Sequence, residues 1–142
     1  MYGPVRTALK GWKLLHHVEL WVPDLERAVG SWGWLLERLG YEEYQRWAAG
    51  RSWRMADTYL VLEQSPALRP GEPYDRMRPG LNHLAFHVPS REALDALVEA
   101  APEHGWTLLF PDRHPYAGGA EHCAGYLEDR DGFEVELVAR KA

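Results

Sequence analysis

Apolar positions recur with helical spacing in two stretches of the chain. From Asp24 to Leu39, the residues Leu25, Val29, Trp32, Leu36 and Leu39 form one stripe at a 3.6-residue period. Asp24, following Pro23, predicts the N-cap and Gly40 the stop. Ser90 to Ala101 repeats the plan with Leu94, Leu97, Val98 and Ala101, capped by Ser90 and barred from continuing by Pro102. Short alternating runs surround both helices and predict strands: Leu15–Val22, Tyr41–Trp47, Arg51–Ala56 and Thr58–Gln64 around the first; Asn82–Val88, Trp106–Phe110, His122–Glu128 and Phe133–Val138 around the second. Each half therefore reads strand, helix, strand, strand, strand. Ser65–Gly80, rich in proline and glycine, is the connector.

The halves also match residue by residue. His17-Val-Glu-Leu-Trp-Val-Pro23 parallels His83-Leu-Ala-Phe-His-Val-Pro89, which sets His17 against His83. Tyr59-Leu-Val-Leu-Glu63 parallels Gly132-Phe-Glu-Val-Glu136, which sets Glu63 against Glu136. Side chains alternate faces along a strand. Val18, Leu20 and Val22, Leu60 and Leu62, Leu84, Phe86 and Val88, and Phe133, Val135 and Leu137 are the faces a helix should cover. The opposite faces carry His17, Glu63, His83 and Glu136, one from each of four strands. One such residue alone is an ordinary solvated position, but matched His and Glu in both halves form an N2O2 donor set. That set suits one divalent metal ion: Zn, Ni, Fe, Co or Mn.

Composition sharpens this picture. The 142 residues allow one domain. A single cysteine, Cys123, excludes an internal disulfide and a multi-thiolate metal site, so His, Asp and Glu must supply any ligands. Cys123 itself reads as a small packed residue. The formal charge is −5 with no basic stripe, which argues against a nucleic-acid partner. No apolar run reaches the ~20 residues of a membrane span. Met1–Lys13 lacks a signal-peptide core, and the expected compartment is the cytoplasm. Asp129-Arg-Asp-Gly132 predicts a hairpin turn. The polar segment Asp112–His122 is a long loop, and Arg113, His114, Tyr116 and His122 are candidate substrate contacts. His16 points away from His17 and is read as structural.

These motifs resemble the vicinal oxygen chelate superfamily of glyoxalases, bleomycin-resistance proteins and extradiol dioxygenases. The resemblance is carried by His17-Val-Glu-Leu-Trp-Val-Pro-Asp-Leu, Tyr-Leu-Val-Leu-Glu63, Gly-Leu-Asn-His83-Leu-Ala-Phe-His-Val and Asp-Gly-Phe-Glu-Val-Glu136-Leu-Val. It spans residues 14–140 as one domain, with modules of about 14–64 and 81–140, a connector at 65–80 and an N-terminal extension at 1–13. It implies an α+β fold of two tandem βαβββ modules, curved mixed sheets around a metal cleft. It also implies that His17, Glu63, His83 and Glu136 are metal ligands, with Glu63 or Glu136 doubling as the proton-moving base. The implied activity is a glyoxalase-like lyase or isomerase acting on a small oxygen-chelating substrate. Trp21 stands where bacterial glyoxalase I has an Arg, and Ala67 where it has an Asn, so the substrate is not expected to be glutathione-linked. Trp21 shares the ligand face and favours an aromatic or apolar substrate. The alternatives are an iron(II) extradiol dioxygenase using His17, His83 and Glu136, against which a fourth ligand at Glu63 counts, and a non-catalytic drug- or metabolite-binding protein. Members of this size also imply a homodimer.

Overall fold

A computed structural model describes residues 15–141; the expectation for 1–13 lies outside them. The first half comprises β1 (His17–Trp21), a helical stretch α1 (residues 25–38), β2 (Glu42–Trp47), β3 (Gly50–Met55) and β4 (Thr58–Glu63). The second comprises β5 (Leu84–Val88), helix α2 (Arg91–Ala100) with a 3-10 turn (Ala101–His104), then β6 (Thr107–Leu109), β7 (Ala124–Glu128) and β8 (Glu134–Ala139). Each half forms a four-stranded mixed sheet, in the orders β1-β4-β3-β2 and β5-β8-β7-β6. The β1/β4 and β5/β8 pairs are parallel and the others antiparallel. The two βαβββ modules predicted from the chain are thus present.

Helix α1 begins as expected: the Asp24 side chain accepts from the Arg27 backbone N–H. It is not regular throughout. An α segment (Leu25–Ala28) passes through a wide π turn (Val29–Gly33) into a second α segment (Trp34–Arg38). The extra residue in that turn rotates the stripe. Leu25, Ala28, Trp32, Leu35 and Leu36 are buried, whereas Val29 and Leu39 are only half-buried. Two contacts hold the turn. Ser31 O accepts from Trp106 Nε1 at 3.0 Å. Gly33 lies so close to the Trp53 ring that a Cβ would sit 3.0 Å from it. Helix α2 is capped by Ser90, whose hydroxyl accepts from the Ala93 N–H. Pro102 does not end the helical path, because a proline is tolerated in the first turn of a new segment. The path tightens to a 3-10 turn and stops at Gly105, where φ is 85°.

The faces partition as the alternation predicts. Leu20, Val22, Leu60, Leu62, Val135 and Leu137 turn toward the helices and merge with Trp32, Leu35, Leu36, Leu94 and Leu97 in one core. Complete burial of a Leu contributes about 1.5–3 kcal/mol. The core is shared between halves: Trp32 of α1 packs edge-on against Trp106 and Phe133 of the second half. Its Nε1–H donates to Asp129 Oδ2 at 2.9 Å. Asp129 also accepts from the Asp131 and Phe133 N–H groups, which closes the predicted β7–β8 hairpin turn with Gly132 at φ 93°. Among the described residues no helix is long and apolar enough to cross a membrane.

Candidate metal and proton-transfer site

The face of β8 turned away from the helices carries Glu136. Its side chain is nearly buried, with the residue 7% exposed. His83 Nε2 lies 3.1 Å from Glu136 Oε1, and His122 Nε2 lies 2.5 Å from Oε2. Tyr126 stands directly opposite Glu136 in the β7/β8 register. Burial first, and the Glu136 charge next, push the Tyr126 hydroxyl above the usual phenol range, so it remains a proton donor at neutral pH. Two imidazoles and a phenol therefore gather at one carboxylate.

The first half does not reproduce this cluster. The alignment that equates His17 with His83 also equates Glu19 with Ala85 and Trp21 with His87. Ala85 pairs with Glu136, whereas Glu19 pairs with Val61. Val61, not Glu63, is therefore the counterpart of Glu136. Glu63 pairs with Trp21, and its equivalent in the second half is Val138. His17 pairs with Tyr59, so Glu63 lies four positions further along β4, about 13 Å away by strand rise. It accepts instead from Trp47 Nε1 at 3.3 Å. His17 stacks on Tyr59, with centroids 4.8 Å apart. The four expected ligands thus divide into a contacting pair, His83 and Glu136, and two residues held elsewhere.

The remaining candidates fall as follows. His122 joins the site. Trp21 is 42% exposed and donates to Glu19 Oε2. Arg113 covers the Phe110 ring, and Tyr116 is exposed on the same loop. His114 approaches the position of a Gly125 Cβ together with Leu94 and Val98, on the helix-covered side of β7. Burial lowers its pKa. It lies on the wrong side of the sheet to share the Glu136 site. His16 is not turned away from His17: the two Nδ1 atoms are 2.9 Å apart, because β1 starts only at His17 and strand alternation does not extend to residue 16. Cys123 packs against the core. Tyr126 lies outside the set that the sequence predicts, although it shares strand parity with His122. Arg76 lies outside it too. It reaches from the connector to ion-pair with Glu128 and Glu134, and no periodicity in that segment signals it.

The donor chemistry of the pair fits a cation. Asn82 Nδ2 donates to Arg76 O at 3.1 Å, which turns Asn82 Oδ1 toward His83 Nδ1 at 2.7 Å. A carbonyl oxygen only accepts, and so does a carboxylate, so both ring nitrogens of His83 face acceptors. A neutral imidazole has one N–H for these two acceptors, so a cation beside Nε2 and the Glu136 carboxylate would complete the set. Adjacent ligands at about 2.1 Å from one ion are spaced by about 3 Å. The two imidazoles meet different oxygens of Glu136, and among the described residues no three His, Cys, Asp or Glu side chains stand in a ready metal-holding group.

Comparison with known proteins agrees with this architecture. The model of the Glyoxalase/Bleomycin resistance protein/Dioxygenase superfamily matches residues 16–126, and the chain belongs to that superfamily. It is 49% identical over 127 residues to the uncharacterized protein YqjT of Bacillus subtilis (strain 168), covering 88% of this chain and 98% of the relative. It is 45% identical to the crystal structure of a "putative glyoxalase" from Bacillus halodurans, with a TM-score of 0.86 and coverage of 94% and 98% of the two chains. A lactoylglutathione lyase from Agrobacterium tumefaciens shares the fold at 17% identity, with a TM-score of 0.61 and coverage of 92% and 96%.

Proposed function

We propose that this protein is a metal-dependent lyase or isomerase of the glyoxalase type, acting on a small substrate with two neighbouring oxygens. The observation that carries the reading is the nearly buried Glu136 carboxylate with His83, His122 and Tyr126 around it. His83 and Glu136 would hold a divalent cation (Zn, Ni, Fe, Co or Mn), and His122 is the nearest further donor. When bound, such an ion would supply Lewis-acid stabilisation of negative charge on a substrate oxygen. Glu136 takes the proton from the carbon beside the carbonyl and returns it to the neighbouring carbon. His122, at the second oxygen of Glu136, holds the carboxylate in place, and Tyr126 donates from the strand opposite. Trp21, Arg113 and Tyr116 lie on exposed surface where substrate contacts would form. The register, which sets Glu63 opposite Trp21, supports leaving Glu63 out of the proposed chemistry. Glutathione is not part of the proposed substrate, given Trp21 and Ala67. The working unit is a cytoplasmic homodimer in this reading.

A second reading gains from one observation. With Val61 in place of a carboxylate, the fourth ligand that counts against an iron(II) extradiol dioxygenase is gone; His83 and Glu136 would supply one His and the carboxylate of its triad, and His17 would have to leave its stack on Tyr59 to supply the second His.

The test is metal content of untagged protein, paired with solvent-deuterium exchange into a panel of α-hydroxycarbonyl and dicarbonyl compounds. Wild type and Glu63→Gln are expected to bind metal and exchange alike. Glu136→Gln should lose metal and slow exchange by about 10²–10⁴-fold. Full metal occupancy and exchange in Glu136→Gln would overturn the proposal. Oxygen uptake with catechols after anaerobic iron loading would replace it with the dioxygenase reading.

A further inference from the structure

Phe110 follows β6 in a conformation that a bulky side chain seldom adopts. Its φ is 52°, in the left-handed region. Leu109 pairs with Tyr126 and shares its face, so a strand continued by one residue would turn Phe110 toward the helices. The left-handed turn reverses that direction. It brings the Phe110 ring edge-on to Tyr126, with centroids 5.8 Å apart and planes at 82°. Tyr126 meets His83 in the same edge-on way at 6.4 Å and stands opposite Glu136. Backbone strain of this kind persists only where the surroundings hold it, and it gathers at ligand clamps. The chain then turns twice. The Arg113 N–H donates to Phe110 O at 3.0 Å, and the Tyr116 N–H donates to Arg113 O at 2.7 Å. Arg113 is thereby folded back over Phe110, with its guanidinium carbon 4.9 Å from the ring centroid.

We propose that Arg113, shelved on the Phe110 ring, binds a carboxylate at the far end of the substrate, and that Phe110 is its positioning residue. That the bound molecule is the substrate rests on the function proposed above; the carboxylate site itself does not. A stacked guanidinium spends its flat face on the ring and keeps its N–H donors in plane, ready to meet a carboxylate through two parallel bonds. Among the described residues no Asp or Glu forms an ion pair with Arg113, although Asp112 precedes it in the chain. It is the only Lys or Arg from Phe110 to His122. One positive group there matches a singly charged carboxylate better than a phosphate dianion. An arginine that merely keeps a loop soluble needs no strained aromatic shelf. A molecule whose neighbouring oxygens face Glu136 would carry its tail carboxylate past Tyr126 to Arg113.

Calorimetry with 2-oxoglutarate and 2-oxovalerate tests this, because the two acids share their neighbouring oxygens and differ only in the tail carboxylate. Wild type should bind 2-oxoglutarate about tenfold more tightly. Arg113→Gln should bring the two affinities together by weakening 2-oxoglutarate, and Arg113→Lys, which keeps the charge without the fork, should retain part of the preference. Phe110→Gly suits the left-handed backbone but removes the shelf. It should lose the preference with a melting temperature within a few degrees of wild type. Equal affinities in wild type, no binding of 2-oxoglutarate, or a preference that survives Arg113→Gln would overturn the inference; a preference that survives Phe110→Gly would overturn the positioning role. Solvent-deuterium exchange into the same acids separates this site from the function above. A tail preference without exchange removes the proton-transfer reading and leaves the carboxylate site standing, and exchange without a tail preference does the reverse.

Discussion

Asp129 shows what one buried carboxylate does here. It accepts from the Trp32 indole of the first half and from two N–H groups of its own hairpin turn. Burial nonetheless dominates and raises its pKa above the ordinary carboxylate value. The folded state therefore holds this proton more tightly than the unfolded chain. That contribution to stability is complete below about pH 4 and is lost as pH rises through the folded value. Urea unfolding from pH 3 to 7 should show the stability of wild type relative to Asp129→Asn falling as pH rises; a difference that grows with pH would refute this. At the same scale, alternation and repetition make His83 and Glu136 legible in the sequence, and they misplace Glu63 for an identifiable reason. The counterpart of Glu136 in β4 is Val61, and matching it to Glu63 slips the alignment by two positions. A slip of one would have turned the strand inside out and betrayed itself. A slip of two keeps every side chain on its face, so hydrophobic pattern cannot detect it; only inter-strand register can.

Among the elements, the loop from Asp112 to His122 has the closest approach to the site. A Cβ at Gly118 would collide with Tyr126 Oη and lie 2.8 Å from His122 Cδ2. The absence of a side chain there lets the loop settle on both residues. Gly118→Ala should displace the loop, lowering turnover or zinc affinity by roughly tenfold or more while shifting the melting temperature by only a few degrees, as expected for about 1 kcal/mol in a domain of this size. Calorimetry beside the metal titration would check it, and unchanged affinity with unchanged turnover would refute it. Both helices are legible because their caps and stripes lie close together in the chain. The π turn in α1 is not, because it answers to Trp53 and Trp106, which lie far away in sequence. Arg76 escapes for the same reason: its partners Glu128 and Glu134 belong to the far hairpin.

For the whole molecule, two modules with one interior should behave as one thermodynamic body. Trp32 is fully buried between α1 and the second half. Trp32→Ala should cost about 3–5 kcal/mol, through lost burial and a cavity that cannot collapse. Fluorescence and circular dichroism should still report one coincident unfolding transition. Two separated transitions would show that the halves are independent. The duplicated plan is visible in the chain itself. The mutual burial of the halves depends on contacts such as Trp32 with Asp129 and Trp106 with Ser31, whose partners sit in opposite modules and leave no local trace.

The valine at position 61 has a consequence for how such a chain can change over generations. The nearly buried carboxylate with its two imidazoles stands on one module only, so under the proposed function the open face of the other carries no proton transfer. Under that function, substitutions around Trp21, Tyr44 and Tyr59 would alter the open face without touching Glu136. A duplicated fold whose equivalent positions carry Val61 in one half and Glu136 in the other thereby leaves the two faces under different chemical demands.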